Sequence, residues 1–294
     1  MAISNYLSID VEDYFQVSAF EQVSPRSCWD SQSCRVEHNV DLILEMLAVG
    51  KTRATFFVLG WIADRYPQMV RKISTLGHEI ASHGYSHQRV SRQDRLSFRS
   101  DIRISKALLE DLTGFQVYGY RAPSYSISHE TDWAFDELLE AGYHYDSSIF
   151  PIRHDLYGIA DWPRFSGYAV KGADGTWHCA PEAKTGTLSL RELPISTLAI
   201  CGMNLPIAGG GYFRLLPYAV TRWGLWRVNR QDKKPFVFYL HPWELDPAQP
   251  RMAHIRLKSR FRHYLNLHKT EGRFSRLLKD FEFTSISQGF GSMS

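Results

Sequence analysis

Apolar and polar positions along this chain switch repeatedly between strand-like and helix-like spacing. Tyr6 to Asp10 is a short apolar run of strand length, and Val40, Ile43, Leu44 and Leu47 recur at helical spacing within a segment, Val36 to Val49, that stops at Gly50. Ala54 to Leu59 predicts a second strand, and a helix from Pro67 to Leu76 ends at Gly77. A strand over 79–82, a long polar-faced helix over 92–112 and a strand near 117–121 come next. A helix over 130–141 and a strand over 143–146 complete the regular part. Between 151 and 214 glycine and proline are frequent, β-like pieces such as Leu190 to Ile195 are short, and Gly209-Gly210-Gly211 precedes Tyr212. The pattern then resumes with a helix over 215–228, an apolar strand over 236–240, helices near 254–268 and 273–281, and a closing strand over 282–286. No internal repeat is visible.

Strands alternating with helices argue for an α/β fold with a parallel sheet or barrel. Asp10, His83, Arg121, Asp146 and His241 all fall at or just past the C-terminal end of a predicted strand. In a (β/α) barrel those ends converge on one face, which carries the chemistry. A barrel is therefore expected, with an irregular β-rich excursion at about 151–214.

The residues at those ends suit hydrolysis. His83 and His87 are four apart, so one helical turn would present both imidazoles to one metal. Asp10 and Glu12, two apart at a strand end, point to the same side, and one of them completes a His, His, carboxylate set that keeps a position open for water. Gly84, Tyr85 and Ser86 between the histidines include no general base, unlike the H-E-x-x-H helix of metalloproteases. With Glu12 as ligand, Asp10 is the available base, Arg121 its ion-pair partner, and His241 the general acid, oriented by Asp146. The turn after Pro123 offers backbone N–H groups, such as that of Ser124, to a developing oxyanion. Together these describe metal-assisted hydrolysis of an amide or ester.

Other features read more plainly. His78 is expected to cap a strand start, and Trp243 and Glu244 to line the pocket or cover the rim. The glycine run lacks the phosphate-loop pattern and either lets backbone approach a ligand or makes a bend. A net charge of +3 gives no support for nucleic-acid binding. No stretch approaches the roughly 18 apolar residues of a membrane span. The first ten residues lack a basic start and a long apolar run, so a cytoplasmic location is expected. Cys28, Cys34, Cys179 and Cys201 show no zinc-like spacing and are expected as free thiols. The segment from Arg251 to Lys279 is basic. It reads as a solvated helix face over an apolar stripe of Leu257, Phe261, Tyr264 and Leu265, or as an attractor for an anionic glycan, a nucleotide- or lipid-linked sugar, or the inner membrane face.

Five stretches carry a resemblance. Leu7-Ser8-Ile9-Asp10, Ser82-His83-Gly84-Tyr85-Ser86-His87, Tyr120-Arg121-Ala122-Pro123, Tyr145-Asp146-Ser147-Ser148 and Tyr239-Leu240-His241 resemble, in order, the motifs of the polysaccharide deacetylases of carbohydrate esterase family 4. The resemblance implies a single catalytic domain over 1–294 with a distorted (β/α)7 barrel. It implies a divalent metal, first of all zinc, with nickel, cobalt or iron also accepted by such ligands. Asp10 would be the base and His241 the acid. The family's usual adjacent aspartates are replaced here by Asp10 and Val11, which moves the carboxylate ligand to Glu12, with Asp13 as fallback. Asp10 to Phe15, Asp146 to Pro151, Gly209 to Arg214 and His241 to Glu244 are similar to a subgroup found with exopolysaccharide and O-antigen loci. That similarity implies N-deacetylation of an acetamido sugar, with Pro123, Ser124, Tyr125, Gly210, Gly211, Tyr212 and Trp243 toward the substrate. Two other readings fit the same residues: an inactive glycan-binding protein on this barrel, and an amidohydrolase of a small non-sugar amide.

Overall fold

The computed structural model describes residues 3–154, 157–183, 186 and 188–290, so residues 155, 156, 184, 185 and 187 of the irregular stretch lie outside the described residues. The chain forms two compact units. The first holds Met1–Phe56, Thr75–Glu79 and Ile207–Ser294, and the second Phe57–Ser74 and Ile80–Pro206.

In the first unit the strand Asn5–Val11 is buried along its whole length and pairs in parallel with Val237–Leu240 and with Phe283–Thr284. Burial on both faces explains why it reads as an apolar run rather than an alternation. Its polar members are paired: Ser8 Oγ donates to the Phe238 carbonyl, and the Asn5 side chain accepts from the Phe236 amide. The helix Val36–Val49 forms as its periodicity predicts. Asp13 caps it, taking the amides of Arg35 and Val36 on Oδ2 and that of Tyr14 on Oδ1.

The helix expected over 215–228 forms over Tyr218–Arg227, and a further helix that was not expected, Gly210–Leu215, precedes it. Pro217 between them has no N–H to donate and cannot continue the first. The basic segment forms helices Leu257–Tyr264 and Leu267–Asp280, but its expected apolar stripe does not pack inward. Leu257 and Phe261 are 81% and 60% exposed, and His263 is the buried residue of that helix.

In the second unit Glu79–Ser82, Gly119–Tyr120, Tyr145–Asp146 and Ser189–Glu192 pair in parallel in that order. Gly167–Lys171 and Trp177–Ala180 continue it antiparallel, and Thr197–Ile200 with Met203–Pro206 makes a separate hairpin. This is the β-rich excursion expected from the sequence. The helix Arg95–Thr113 starts on the Asp94 cap and ends at Gly114 in the left-handed region. The helix Gly60–Arg65 has no counterpart in the sequence expectation; its first amides donate to the carbonyls of Gly84 and Tyr85. The fold is α/β. Within each unit the strands run in open order, so the expected barrel closure is not drawn by their pairing.

His78 has the structural role expected of it. Its Nδ1 accepts the Ala54 amide, and burial, helped by Arg53, lowers its pKa from 6.5 to about 4. The folded state thus prefers the neutral ring, while the unfolded chain binds a proton below 6.5. His78 therefore favours folding above that pH and loses its contribution as pH falls through about 4. Denaturant titrations of wild type and His78→Gln across this window should converge toward low pH, wild type losing about 2 kcal/mol more than the variant. Parallel curves would contradict the assignment.

Candidate functional site

The first unit supplies an acid–base cluster. Ile9 lies opposite Leu240 in the parallel pair, so the next residues, Asp10 and His241, leave adjacent strand ends on the same side. His241 Nε2 sits 4.0 Å from Asp10 Oδ2 and 3.4 Å from Glu12 Oε1. Its Nδ1 faces Glu244 Oε1 at 2.7 Å, and Glu244 Oε2 accepts Arg214 Nε at 2.6 Å. Arg214 in turn donates through Nη1 to the carbonyls of Arg262, His263 and Leu265.

Burial alone would protonate Glu244, but Arg214 and then His241 hold it down at about 2. Burial also opposes charge on His241, yet Glu12, Glu244 and Asp10 outweigh it and raise the ring to about 9. These carboxylates favour the protonated ring, the form a general acid needs. The sequence expectation gave its orienting partner as Asp146. The structure gives that role to Glu244, three residues along the same turn.

Trp243, expected to meet substrate, is 5% exposed. Its indole N–H donates to Glu12 Oε1 at 3.3 Å, and its ring stacks on His241 and His263. It positions Glu12 rather than offering a face to a sugar. The glycine run also departs from expectation. Gly209 has φ +123°, and a Cβ there would come 2.0 Å from the Tyr239 carbonyl oxygen. The close approach that requires glycine at 209 is to the strand Val237–Leu240. Gly210 packs on the same tyrosine, while Gly211 is exposed and Tyr212 half-buried. With three backbone amides on its carboxylate, Asp13 is a helix cap, which removes the reason to hold it as the fallback ligand.

The second unit supplies the imidazole pair. His83 follows the strand Glu79–Ser82, and its Nδ1 lies 2.8 Å from the Arg121 carbonyl oxygen. A carbonyl only accepts, so Nδ1 carries a proton, and in the neutral ring Nε2 holds the lone pair. The His83 and His87 rings are 5.3 Å apart. They are not brought together by a helical turn, as expected, but by a loop in which Gly84 and His87 have φ +71° and +53°. Asp101, on the helix Arg95–Thr113, pins that loop by accepting the amides of Tyr85 and Ser86 and the Ser86 hydroxyl. A Cβ on residue 84 would lie 2.7 Å from the Asp101 carboxylate, so glycine is needed there.

Arg121 is fully buried, with Nε and Nη2 donating to the carbonyl and hydroxyl of Ser147 and the guanidinium 4.1 Å from the Phe57 ring centre. Ser148 Oγ accepts the Ala122 amide and donates to Asp146 Oδ1 at 2.6 Å. Burial raises both Asp146 and its neighbour Glu192, the latter further because the Asp146 carboxylate faces it. Asp146 thus props the turn that follows Arg121. Pro123 opens that turn, and Ser124 and Tyr125 adopt φ +55° and +53°, a costly conformation for side-chain-bearing residues.

Asp101, Arg214 and Glu192 were not singled out from the sequence. Glu244 was named only as pocket or rim, although a Glu three residues after His241 has the spacing of a capping box.

Residues 27–145, which contain His83, His87 and Arg121, match the family model described as polysaccharide deacetylase. The match and the curated relatives support that family, carbohydrate esterase family 4. Residues 147–291, with Arg214, His241 and Glu244, match a model described as a domain of unknown function, DUF3473. A peptidoglycan deacetylase-like protein of Gibberella zeae is 27% identical over 180 residues, 56% of this chain and 51% of the relative. A peptidoglycan-N-acetylglucosamine deacetylase of Bacillus cereus is 31% identical over 96 residues, 32% of this chain and 35% of that one. A chitooligosaccharide deacetylase of Sinorhizobium fredii is 41% identical over 82 residues, 28% and 38% respectively. The matches span about half the length of the first relative and nearer a third of the others. A Mycobacterium smegmatis crystal structure, provisionally named a polysaccharide deacetylase, shares the fold with a TM-score of 0.58 and 19% identity, covering 98% of this chain and 92% of that one.

The Glu244 contact has a direct test. In metal-free Glu244→Gln protein, the His241 titration midpoint followed by NMR should fall from about 9 by about one pH unit or more, because one of its anionic partners is gone. An unmoved midpoint would mean Glu244 does not set this charge.

Proposed function

We propose that the protein is a metal-dependent hydrolase that removes N-acetyl groups from an acetamido sugar, with residues 1–294 working as one polysaccharide deacetylase-type catalytic domain. The observation that carries this reading is the His241 ring, lying within 4.0 Å of Asp10, held from behind by Glu244 and drawn toward its cationic form by the carboxylates around it. Such a pairing of a cationic acid with an adjacent carboxylate is what splitting an amide by water requires.

We assign the ion to Glu12, His83 and His87, each offering one donor atom. The donor chemistry fits. His83 has its Nδ1 proton committed to the Arg121 carbonyl, which leaves Nε2 for a cation, and the carboxylate completes a catalytic zinc set, with nickel, cobalt or iron as substitutes. When bound, the ion supplies Lewis acidity, polarising the acetyl carbonyl and lowering the pKa of water from about 15.7 toward about 7. Asp10 draws the proton from the attacking water. His241 hands its Nε2 proton to the departing amine nitrogen, and Glu244 and Arg214 keep the ring aligned while it does so. Arg121 anchors the turn through Pro123, Ser124 and Tyr125, whose backbone faces the acetyl oxygen in this reading.

The substrate class follows the names of the relatives, which are deacetylases of peptidoglycan and chitooligosaccharide. An N-acetylated glycan under assembly, as an exopolysaccharide or O-antigen unit on a nucleotide or lipid carrier at the cytoplasmic face, is the specific form we propose.

Acetate release from N-acetylated oligosaccharides, measured alongside metal content, tests the division of labour. Asp10→Asn should retain metal and lose about 10²–10⁴-fold in turnover, whereas His83→Ala and His87→Ala should lose metal and activity together. Release that survives both chelation and Asp10→Asn would overturn the reading, and so would an Asp10→Asn protein that no longer holds metal.

A further inference from the structure

The helix Tyr218–Arg227 carries its residues the wrong way round for a helix in water. It buries Thr221, Gly224 and Leu225 and leaves Trp223 and Trp226 46% and 49% exposed, beside Val220 at 41%. Indoles in water are costly, and two on one exposed helix face form a patch that wants a covering. Each carries an arginine one turn further on: Arg227 lies 5.1 Å from the Trp223 ring centre and Arg230 5.7 Å from that of Trp226. From Arg222 to Lys234 the chain has five cations (Arg222, Arg227, Arg230, Lys233, Lys234) and one carboxylate, Asp232.

A groove of about 1130 Å³ adjoins this helix. Trp226, Arg222, Arg230 and Lys233 line it together with Lys51 and Lys279. Of its two acids, Asp280 is already engaged by Arg222 and by the Tyr218 hydroxyl. The groove therefore presents an excess of positive charge at the edge of an aromatic patch. Exposed indoles ringed by arginine and lysine complement one surface in particular, a bilayer whose boundary region accepts the rings and whose phosphates meet the cations. No helix among the described residues is long and apolar enough to cross a membrane.

We propose that the helix Tyr218–Arg227 and the groove beside Trp226 dock this protein on an anionic phospholipid bilayer, with Trp223 and Trp226 at the headgroup level. The sequence expectation placed membrane contact on the segment from Arg251 to Lys279; the exposed indoles move it here. The proposal does not depend on the hydrolase reading.

The full chain is sedimented with vesicles of phosphatidylcholine alone and of phosphatidylcholine mixed with phosphatidylglycerol. Partition is expected to the mixed vesicles only and to weaken as salt is raised. The double variant Trp223→Ala/Trp226→Ala should lose roughly tenfold in partition with its thermal midpoint kept. Arg230→Glu/Lys233→Glu, which alters exposed side chains only, should lose a similar amount and carries the test if the tryptophan variant does not fold. Leu257→Ser/Phe261→Ser should bind as wild type. Equal binding to neutral vesicles, no binding to either, or a loss confined to the Leu257/Phe261 variant would each overturn the proposal. So would release by inorganic phosphate at matched ionic strength, which would make the groove a site for free phosphate. A self-association in light scattering that the tryptophan variant abolishes would assign the patch to a second copy instead.

Discussion

Two imidazoles, His83 and His241, have Nδ1 committed to partners within the fold. His83 gives its Nδ1 proton to the Arg121 carbonyl, and His241 sets Nδ1 against Glu244. In the proposed reading that choice leaves the opposite nitrogen a lone pair for a cation in one case and a proton for a leaving group in the other. Their partners make the two rings chemically different.

Holding such partners in place is what the surrounding structure is for. The Arg121 carbonyl is fixed because its guanidinium is spent on Ser147 and the next amide on Ser148, which Asp146 steadies. The Glu244 carboxylate is fixed because Arg214 binds it and is itself tied to three carbonyls of 262–265. Buried charges are costly unless each is paired and hydrogen-bonded. The basic segment that looked like a plain solvated helix therefore closes over Arg214 as well, and His263, driven down to about 3 by burial and by Arg214, joins that cover as a neutral ring.

The strands and the residues at their ends were readable because both are local. A short apolar run announces a buried parallel strand, and Asp10, His83, Arg121 and His241 stand out by where those runs stop. Long-range partners left no such trace. Asp101 is one polar residue among many on its helix, and only the fold brings it to the 83–87 loop. Asp146 stood at the right strand end but answers to Ser148 and Glu192, so placing it on His241 assigned a true feature to the wrong neighbour. The glycine run signalled a close approach correctly, and nothing in it said that the object approached was Tyr239. Barrel closure depends on pairings between distant strands, which periodicity does not encode.

The account stands or falls on the protonation of His83. A two-bond nitrogen–proton correlation spectrum of the metal-free protein reads it directly. The expected result is a proton on Nδ1 and a bare Nε2, with added zinc shifting Nε2 while Nδ1 keeps its proton. A proton on Nε2 with Nδ1 bare would contradict the hydrogen bond to Arg121, and with it the assignment of this ring to a cation.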